Sequence, residues 1–164
     1  MKFAIAAIIA LAAVGASNQS SAPPADESRS VWDGVYTDEQ AQRGEPLYSR
    51  ECASCHGSTL GGGESSPPLA GGEFLSNWNG LTAGDLFERI RQSMPQNNPA
   101  KVGRQQKVDI LAYIFSVNKF PAGKTELEQA TERLKQIRIE ATKPKNNPDS
   151  NSGSQNNQAT PGDH

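Results

Sequence analysis

Apolar residues recur at every third or fourth position in four stretches of the chain, the spacing of helices that bury one face. These stretches are residues 38–51, 83–93, 104–118 and 125–141. No stretch alternates apolar and polar residues with the period of two that marks a half-buried strand. The pattern predicts an all-α fold with three core helices and a C-terminal helical extension.

Residues at the ends of these stretches agree with helix boundaries. Thr37 precedes the first stretch and Gln40 follows three residues later, which is the arrangement of a capping box. Pro46 lies inside this stretch and removes a backbone donor, so we expect the first helix to start late or to bend there. Pro95 ends the second helix, because the residue before a proline, here Met94, is disfavoured in the α conformation.

The N-terminus has the features of a secretory signal peptide, which we assign to residues 1–16. Lys2 gives a charged start, an apolar run of about a dozen residues follows, and Ala16 lies among small residues suited to cleavage. That run is shorter than the roughly 20 residues that span a bilayer, so we expect cleavage. The alternative is a membrane anchor that stays attached. Export predicts periplasmic localisation.

The rest of the chain divides by composition into a flexible leader at 17–30, a folded unit at 31–122, a helical extension at 123–143 and a disordered tail at 144–164. The tail consists mainly of small and polar residues, so it cannot bury enough surface to offset the entropy of ordering. The formal net charge of −2 argues against nucleic acid as a partner.

The segment Cys52-Ala53-Ser54-Cys55-His56 has the C-x-x-C-H spacing at which c-type haem is attached. Each thiol can bond one vinyl group of the same porphyrin, and the histidine next to the second thiol then lies under the iron. The chain has only these two cysteines. The alternatives are a structural disulfide or a thiol oxidoreductase site, which would favour a βαβ setting. A zinc site needs four ligands, which the chain cannot supply without the terminal His164.

Met94 is the best candidate for the second axial ligand of the iron, because the only other methionine is Met1. His/Met ligation raises the reduction potential of a haem. With His56 and Met94 both bound, the iron has no open position for substrate, so we expect electron transfer and no enzymatic activity. If Met94 only fills a gap in the core, the alternative is a ligand-binding or peroxidatic haem protein with an open distal site.

Five segments of the chain resemble the class I cytochrome c family, in particular its small bacterial, monohaem members. In chain order they are Gly44-x-x-x-Tyr48-x-x-x-Cys52, Cys52-x-x-Cys55-His56-Gly57, Pro67-Pro68-Leu69-Ala70-Gly71, Ser93-Met94-Pro95 and Asp109-Ile110-Leu111-Ala112-Tyr113-Ile114. The resemblance covers about 37–120 and makes residues 31–122 a cytochrome c domain. It implies three core helices around one covalently bound haem c.

The resemblance also implies roles for individual residues. The carbonyl of Pro67, or of Pro68 if the register is shifted, would accept the proton of His56. The aromatic ring of Tyr113 would pack on the N-terminal helix near Gly44, where the two helices approach too closely to admit a side chain.

A second resemblance is to cytochrome domains found with periplasmic quinoprotein dehydrogenases. It rests on the segment from Phe74 to Asn79, on Met94-Pro95, and on the run from Asn118 to Gly123. It implies that the partners are periplasmic redox proteins: a quinoprotein dehydrogenase, and a terminal oxidase or another cytochrome. Trp78, inside the first of these segments, either packs in the core or donates to a haem propionate.

Basic residues surround Met94 in the sequence and outnumber the acidic ones. They form either solvated helix faces or a docking rim for an acidic partner, since charges at the edge of an interface mainly steer association. The residues concerned are Arg89, Arg91, Lys101, Arg104 and Lys107.

Overall fold

The computed structural model describes residues 28–64 and 66–145. The predicted signal peptide at 1–16 lies outside these residues, as do most of the leader at 17–30 and of the tail at 144–164. Among the described residues, no helix is both long enough and apolar enough to cross a bilayer.

Helices make up most of the ordered secondary structure. Those described are α1 (Asp38–Glu51), α2 (Ala53–His56), α3 (Gly71–Trp78), α4 (Ala83–Ser93), α5 (Arg104–Val117) and α6 (Thr131–Leu134). Two short strands, β1 (Arg29–Ser30) and β2 (Ile137–Arg138), form a parallel pair, and 3₁₀ turns occupy Val31–Asp33 and Pro99–Lys101. The predicted all-α class is confirmed, and α1, α4 and α5 are the three predicted core helices.

Helix α1 begins at Asp38, so a late start caused by Pro46 is wrong. The Thr37 hydroxyl accepts a hydrogen bond from the backbone N–H of Gln40 and caps the helix, at 3.1 Å. Pro46 cannot donate to the carbonyl of Gln42, four residues earlier. Because Gln42 is exposed, water can take the place of the missing donor, and the helix continues to Glu51.

Helices α1 and α5 form the centre of the domain and touch backbone to backbone. A Cβ atom built on Gly44 would lie 2.0 Å from the carbonyl oxygen of Asp109 and 2.9 Å from the Cβ of Tyr113. The rings of Tyr48 and Tyr113 pack beside this contact, with centroids 5.5 Å apart. The predicted approach of the two helices at Gly44 is therefore confirmed.

The predicted fourth helix over 125–141 is wrong, because only Thr131–Leu134 is helical. Leu127, Leu134, Ile137 and Ile139 are all buried, but an irregular chain presents them to the core. Ile137 and Ile139 are buried on either side of exposed Arg138, which is the alternation of a strand. The apolar spacing that predicted a helix over 125–141 thus belongs to a largely extended segment.

Two further elements differ from the sequence prediction. β1 and β2 have two residues each, which is too short to show a period of two. Helix α3 lies outside the four predicted helical stretches, because Gly71 and Gly72 open it and weaken the helical signal. Phe74 and Trp78, four residues apart on this helix, pack together with ring centroids 6.4 Å apart.

Candidate haem site

The two cysteines lie where helix α1 ends and α2 begins. Cys52 closes α1 through a 2.8 Å hydrogen bond from its N–H to the carbonyl of Tyr48. Its own carbonyl accepts the N–H groups of Cys55, at 3.1 Å, and His56, at 3.0 Å. Both thiols are free; Cys52 is half-buried and Cys55 is exposed. The tight turn therefore holds both thiols and the imidazole on one short segment.

His56 is held by one ring nitrogen and open at the other. Its side chain is buried, with 7% of its surface exposed, and Nδ1 lies 2.8 Å from the carbonyl oxygen of Pro67. A carbonyl can only accept, so Nδ1 carries a proton, and in the neutral imidazole Nε2 then has the bare lone pair. Within 28–64 and 66–145, every fully buried side-chain nitrogen or oxygen has a hydrogen-bond partner. Nε2 bonds none of these residues, so part of its surface is exposed.

Two side chains fix the segments on either side of this hydrogen bond. The buried hydroxyl of Tyr48 donates to the carbonyl of Gly57, at 2.7 Å, next to His56. Asn118 ends α5 and clamps the loop after Pro67, donating to the carbonyl of Leu69 at 2.9 Å and accepting the N–H of Gly71 at 3.0 Å. In the sequence, Asn118 marks the end of a helix and the start of the run from Asn118 to Gly123, and neither signal reveals this clamp.

The surroundings of Cys52 argue against a thiol oxidoreductase site. Burial, with a smaller contribution from the charge of Glu51, raises the pKa of the Cys52 thiol to about 11. Reactive cysteines depend on a lowered pKa, because the thiolate is the nucleophile. The part of the chain that the structure describes also contains no group of three or more His, Cys, Asp or Glu residues able to hold a metal ion.

Met94 lies directly after α4, with the extended backbone that Pro95 requires, and is half-buried. Its N–H donates to the carbonyl of Ile90 at 3.0 Å. The segment after Met94 is tied to the haem-attachment segment, because Lys101 Nζ lies 2.7 Å from Glu51 Oε2, and Glu51 directly precedes Cys52. The methionine and the cysteines thus come from segments that meet.

Most of the basic residues expected around Met94 have partners within the fold, and two of them pair with carboxylates. Arg91 pairs with Glu88 at 2.7 Å, and Lys101 pairs with Glu51. Arg104 donates to the carbonyl of Gln129 and the hydroxyl of Thr131, both at 2.6 Å, and its guanidinium lies over the ring of Phe87. Of the exposed cations, Arg89 makes no side-chain bond to any described residue.

Lys107 differs most from its expected place, because only 2% of it is exposed. Its ammonium donates to the carbonyls of Ile90 at 3.3 Å, Arg91 at 3.0 Å and Pro99 at 2.8 Å. Burial lowers its pKa. Lys107 therefore belongs neither to a solvated face nor to a docking rim.

Several apolar side chains stay partly exposed while they pack against the core. Trp78 is half-buried, and its indole N–H bonds no described residue, so packing and donation to a propionate both stay open. Further apolar residues pack on the core while staying partly exposed, and they come from α2, the Pro67 loop, α3 and α4: Ala53, Leu69, Leu75 and Ile90. This apolar surface and the free Nε2 and thiols fit a covalent haem.

The fold and the site together have the mostly helical arrangement of a cytochrome c domain. Residues 39–114 match the family model described as cytochrome C oxidase, cbb3-type, subunit III, so this segment is a cytochrome c domain. The chain is also similar to the crystal structure of the sulfane dehydrogenase SoxCD from Paracoccus pantotrophus, at 19% identity over 88% of this chain and 82% of that one, with a TM-score of 0.44. No curated protein matches. The family implies covalently bound haem c, and its members are generally electron carriers.

Proposed function

We propose that this protein is a single-electron carrier with one haem c, bound by thioether links to Cys52 and Cys55. His56 and Met94 are the axial ligands. The observation that carries the proposal is the hydrogen bond between His56 Nδ1 and the Pro67 carbonyl. It fixes the tautomer in which Nε2 can bind iron, inside the spacing that attaches haem.

Each residue of the proposed site has a physical task. The Pro67 carbonyl accepts a hydrogen bond from Nδ1–H and so raises the basicity of the imidazole at Nε2. The thioether of Met94 is a soft ligand that would hold the iron opposite His56 and would leave no position for water or substrate. The bound haem supplies a metal that gains and loses one electron. With both sides occupied by protein ligands, the site is suited to electron transfer and not to substrate turnover.

The proposed partners are periplasmic redox proteins, with a quinoprotein dehydrogenase as donor and a terminal oxidase or another cytochrome as acceptor. The donor is supported by the resemblance around Trp78 and from Asn118 to Gly123. The acceptor is supported by the matched family, which is named for an oxidase subunit. The signal-like N-terminus at 1–16 supports export to the periplasm.

Expression in a host that matures c-type cytochromes tests the cofactor. We expect a coloured protein whose mass exceeds that of the polypeptide by one haem, even after denaturation. Cys52→Ala with Cys55→Ala should abolish the covalent increment, whereas Ser54→Ala, which changes the exposed residue between them, should leave it intact. A colourless wild type with the mass of the bare chain contradicts the proposal.

Replacement of Met94 tests the second ligand. Met94→Ala should lower the midpoint potential by well over 59 mV, the one-electron equivalent of a tenfold change, because the thioether favours ferrous iron. Gln96→Ala changes an exposed residue of the same loop and should leave the potential unchanged. An unchanged potential in Met94→Ala, together with rapid carbon monoxide binding by reduced wild type, would support the open-site haem protein instead.

A further inference from the structure

Lys107 is a buried cation whose position is unexplained by electron transfer itself. It makes no ion pair with any carboxylate of the described residues, and its three bonds all go to backbone carbonyls. An ammonium has three N–H donors, so each one has an acceptor. Burying a charge costs free energy unless all its hydrogen bonds are made, and here the three acceptors belong to one small region.

That region is the backbone on both sides of Met94. Ile90 and Arg91 belong to the last turn of α4, where the helix dipole is negative. The Ile90 carbonyl also accepts the N–H of Met94, whereas the Arg91 carbonyl has no helical donor, because the residue four positions later is Pro95. Pro99 lies five residues after Met94 and opens the next 3₁₀ turn. Lys107 therefore bridges the helix end before the methionine and the chain that returns after it.

Few other polar contacts restrain the Met94 loop, defined as residues 94–101. Within the described residues, apart from the bond of the Met94 N–H to α4, its hydrogen bonds and ion pairs to the rest of the domain are the bonds of Lys107 and the ion pair between Lys101 and Glu51, and Val102, directly after it, is buried in the core. In the Lys101 pair the lysine side chain is 56% exposed, so its ammonium keeps contact with water, unlike that of Lys107. Residues 96–98, between these links, are exposed. The buried ammonium is thus the stronger restraint on the position of Met94.

We propose that Lys107 is a positioning residue that holds the Met94 loop closed, so that the sulfur of Met94 stays on the iron. The inference rests on the proposed ligation by His56 and Met94. Without the ammonium, the carbonyls of Arg91 and Pro99 lose their partner, and the loop gains freedom to swing outward. An added ligand then competes with the sulfur more easily.

Imidazole titration of the ferric holoprotein measures this competition. Lys107→Met should raise the apparent imidazole affinity at least tenfold, and should weaken the far-red charge-transfer band of the sulfur–iron bond. Lys124→Met removes the same charge at an exposed position and should change neither. Lys107→Gln, which keeps an N–H donor, should give a smaller rise and serves as the test if the methionine variant does not mature.

A double-mutant cycle separates positioning from a general loosening of the pocket. In a Met94→Ala background, Lys107→Met should alter imidazole affinity by less than twofold, because no sulfur is left to hold. Equal affinity in wild type and the Lys107 variants overturns the inference, as does the same rise in the Met94→Ala background. A wild type without the sulfur–iron band overturns the ligation by Met94 itself, a different result from failure of Lys107 alone.

Discussion

The helix pair α1–α5 and the C-terminal strap, defined as residues 118–141, are stabilised in different ways. The helix pair relies on close contact of two backbones, since Gly44 leaves no space for even one carbon beside Asp109. The strap crosses the domain with little secondary structure, and hydrogen bonds from buried side chains hold it. Gln40 both donates to the carbonyl of Leu127, at 3.0 Å, and accepts its N–H, at 2.8 Å.

The difference decides where each region is vulnerable. Added volume destabilises a helix pair that has no gap, because neither backbone can move without disturbing a whole helix. The loss of hydrogen bonds destabilises the strap, because most of its backbone groups have no helix or sheet to pair them. It joins the N-terminal segment to the loop before α4, where Gly80 donates to Ile139 and Ile139 to Leu81, both at 2.8 Å.

The largest effect is expected at the helix pair. Gly44→Ala places a methyl group 2.0 Å from the Asp109 carbonyl, so the helices must separate. We expect the free energy of unfolding of the holoprotein to fall by about 3 kcal/mol or more, at the upper end of overpacking. Urea unfolding, followed by far-ultraviolet circular dichroism, measures the loss.

Gly72→Ala is the matched control, since it makes the same change in another helix. A Cβ on Gly72 meets no atom within 4 Å, and alanine is favoured over glycine in a helix by up to about 1 kcal/mol. The control should therefore be neutral or stabilising. Equal losses in the two variants would show that the close contact at Gly44 is not what stabilises the helix pair.

The helix pair was predictable because its local signals and its tertiary contacts agree. Apolar residues at every third or fourth position, the Thr37 cap and Gly44 opposite α5 all predict the same pair of packed helices. In the strap they conflict, because the apolar spacing from Leu127 to Ile137 imitates a helix. The strap's conformation depends instead on distant partners such as Gln40, which no local pattern reveals.

The candidate site divides in the same way. The C-x-x-C-H segment and the Pro67 loop are continuous motifs, and the structure joins them at His56 as the sequence analysis expected. Lys107 and Asn118 act at long range on carbonyls of other segments. A lysine among exposed residues looks solvated in sequence, because only the three-dimensional path of the Met94 loop shows what its ammonium meets.

A smaller effect is expected where the strap meets α1. Gln40→Met keeps the bulk of the side chain but leaves the N–H and carbonyl of Leu127 unpaired in the interior. Each orphaned group costs roughly 1–3 kcal/mol, so we expect a total loss of about 2 kcal/mol after partial relaxation. Hydrogen exchange at the Leu127 amide should also accelerate, which distinguishes opening of the strap from global unfolding.

Gln42→Met is the control for this change, because Gln42 lies on the exposed face of the same helix. Gln42 is exposed and has no side-chain bond to another described residue, so its replacement should stay within about 0.5 kcal/mol of wild type. If Gln40→Met were as mild as Gln42→Met, the strap would be held by its apolar side chains and not by this pair of hydrogen bonds.

The smallest effect is expected where the strap meets α4, the helix that precedes Met94. Arg91 and the Thr131 hydroxyl lower the pKa of Glu88 to about 2, and Thr131 belongs to the strap. Because the pKa is below its unfolded value of about 4.5, this stabilisation is present at pH 6 and is lost as the pH falls toward 2. The stability advantage of wild type over Glu88→Gln, at most about 1 kcal/mol for so accessible a pair, should therefore shrink between pH 6 and pH 3 in urea titrations. A constant difference across that range would mean that the Glu88 charge does not help to fasten the strap to α4.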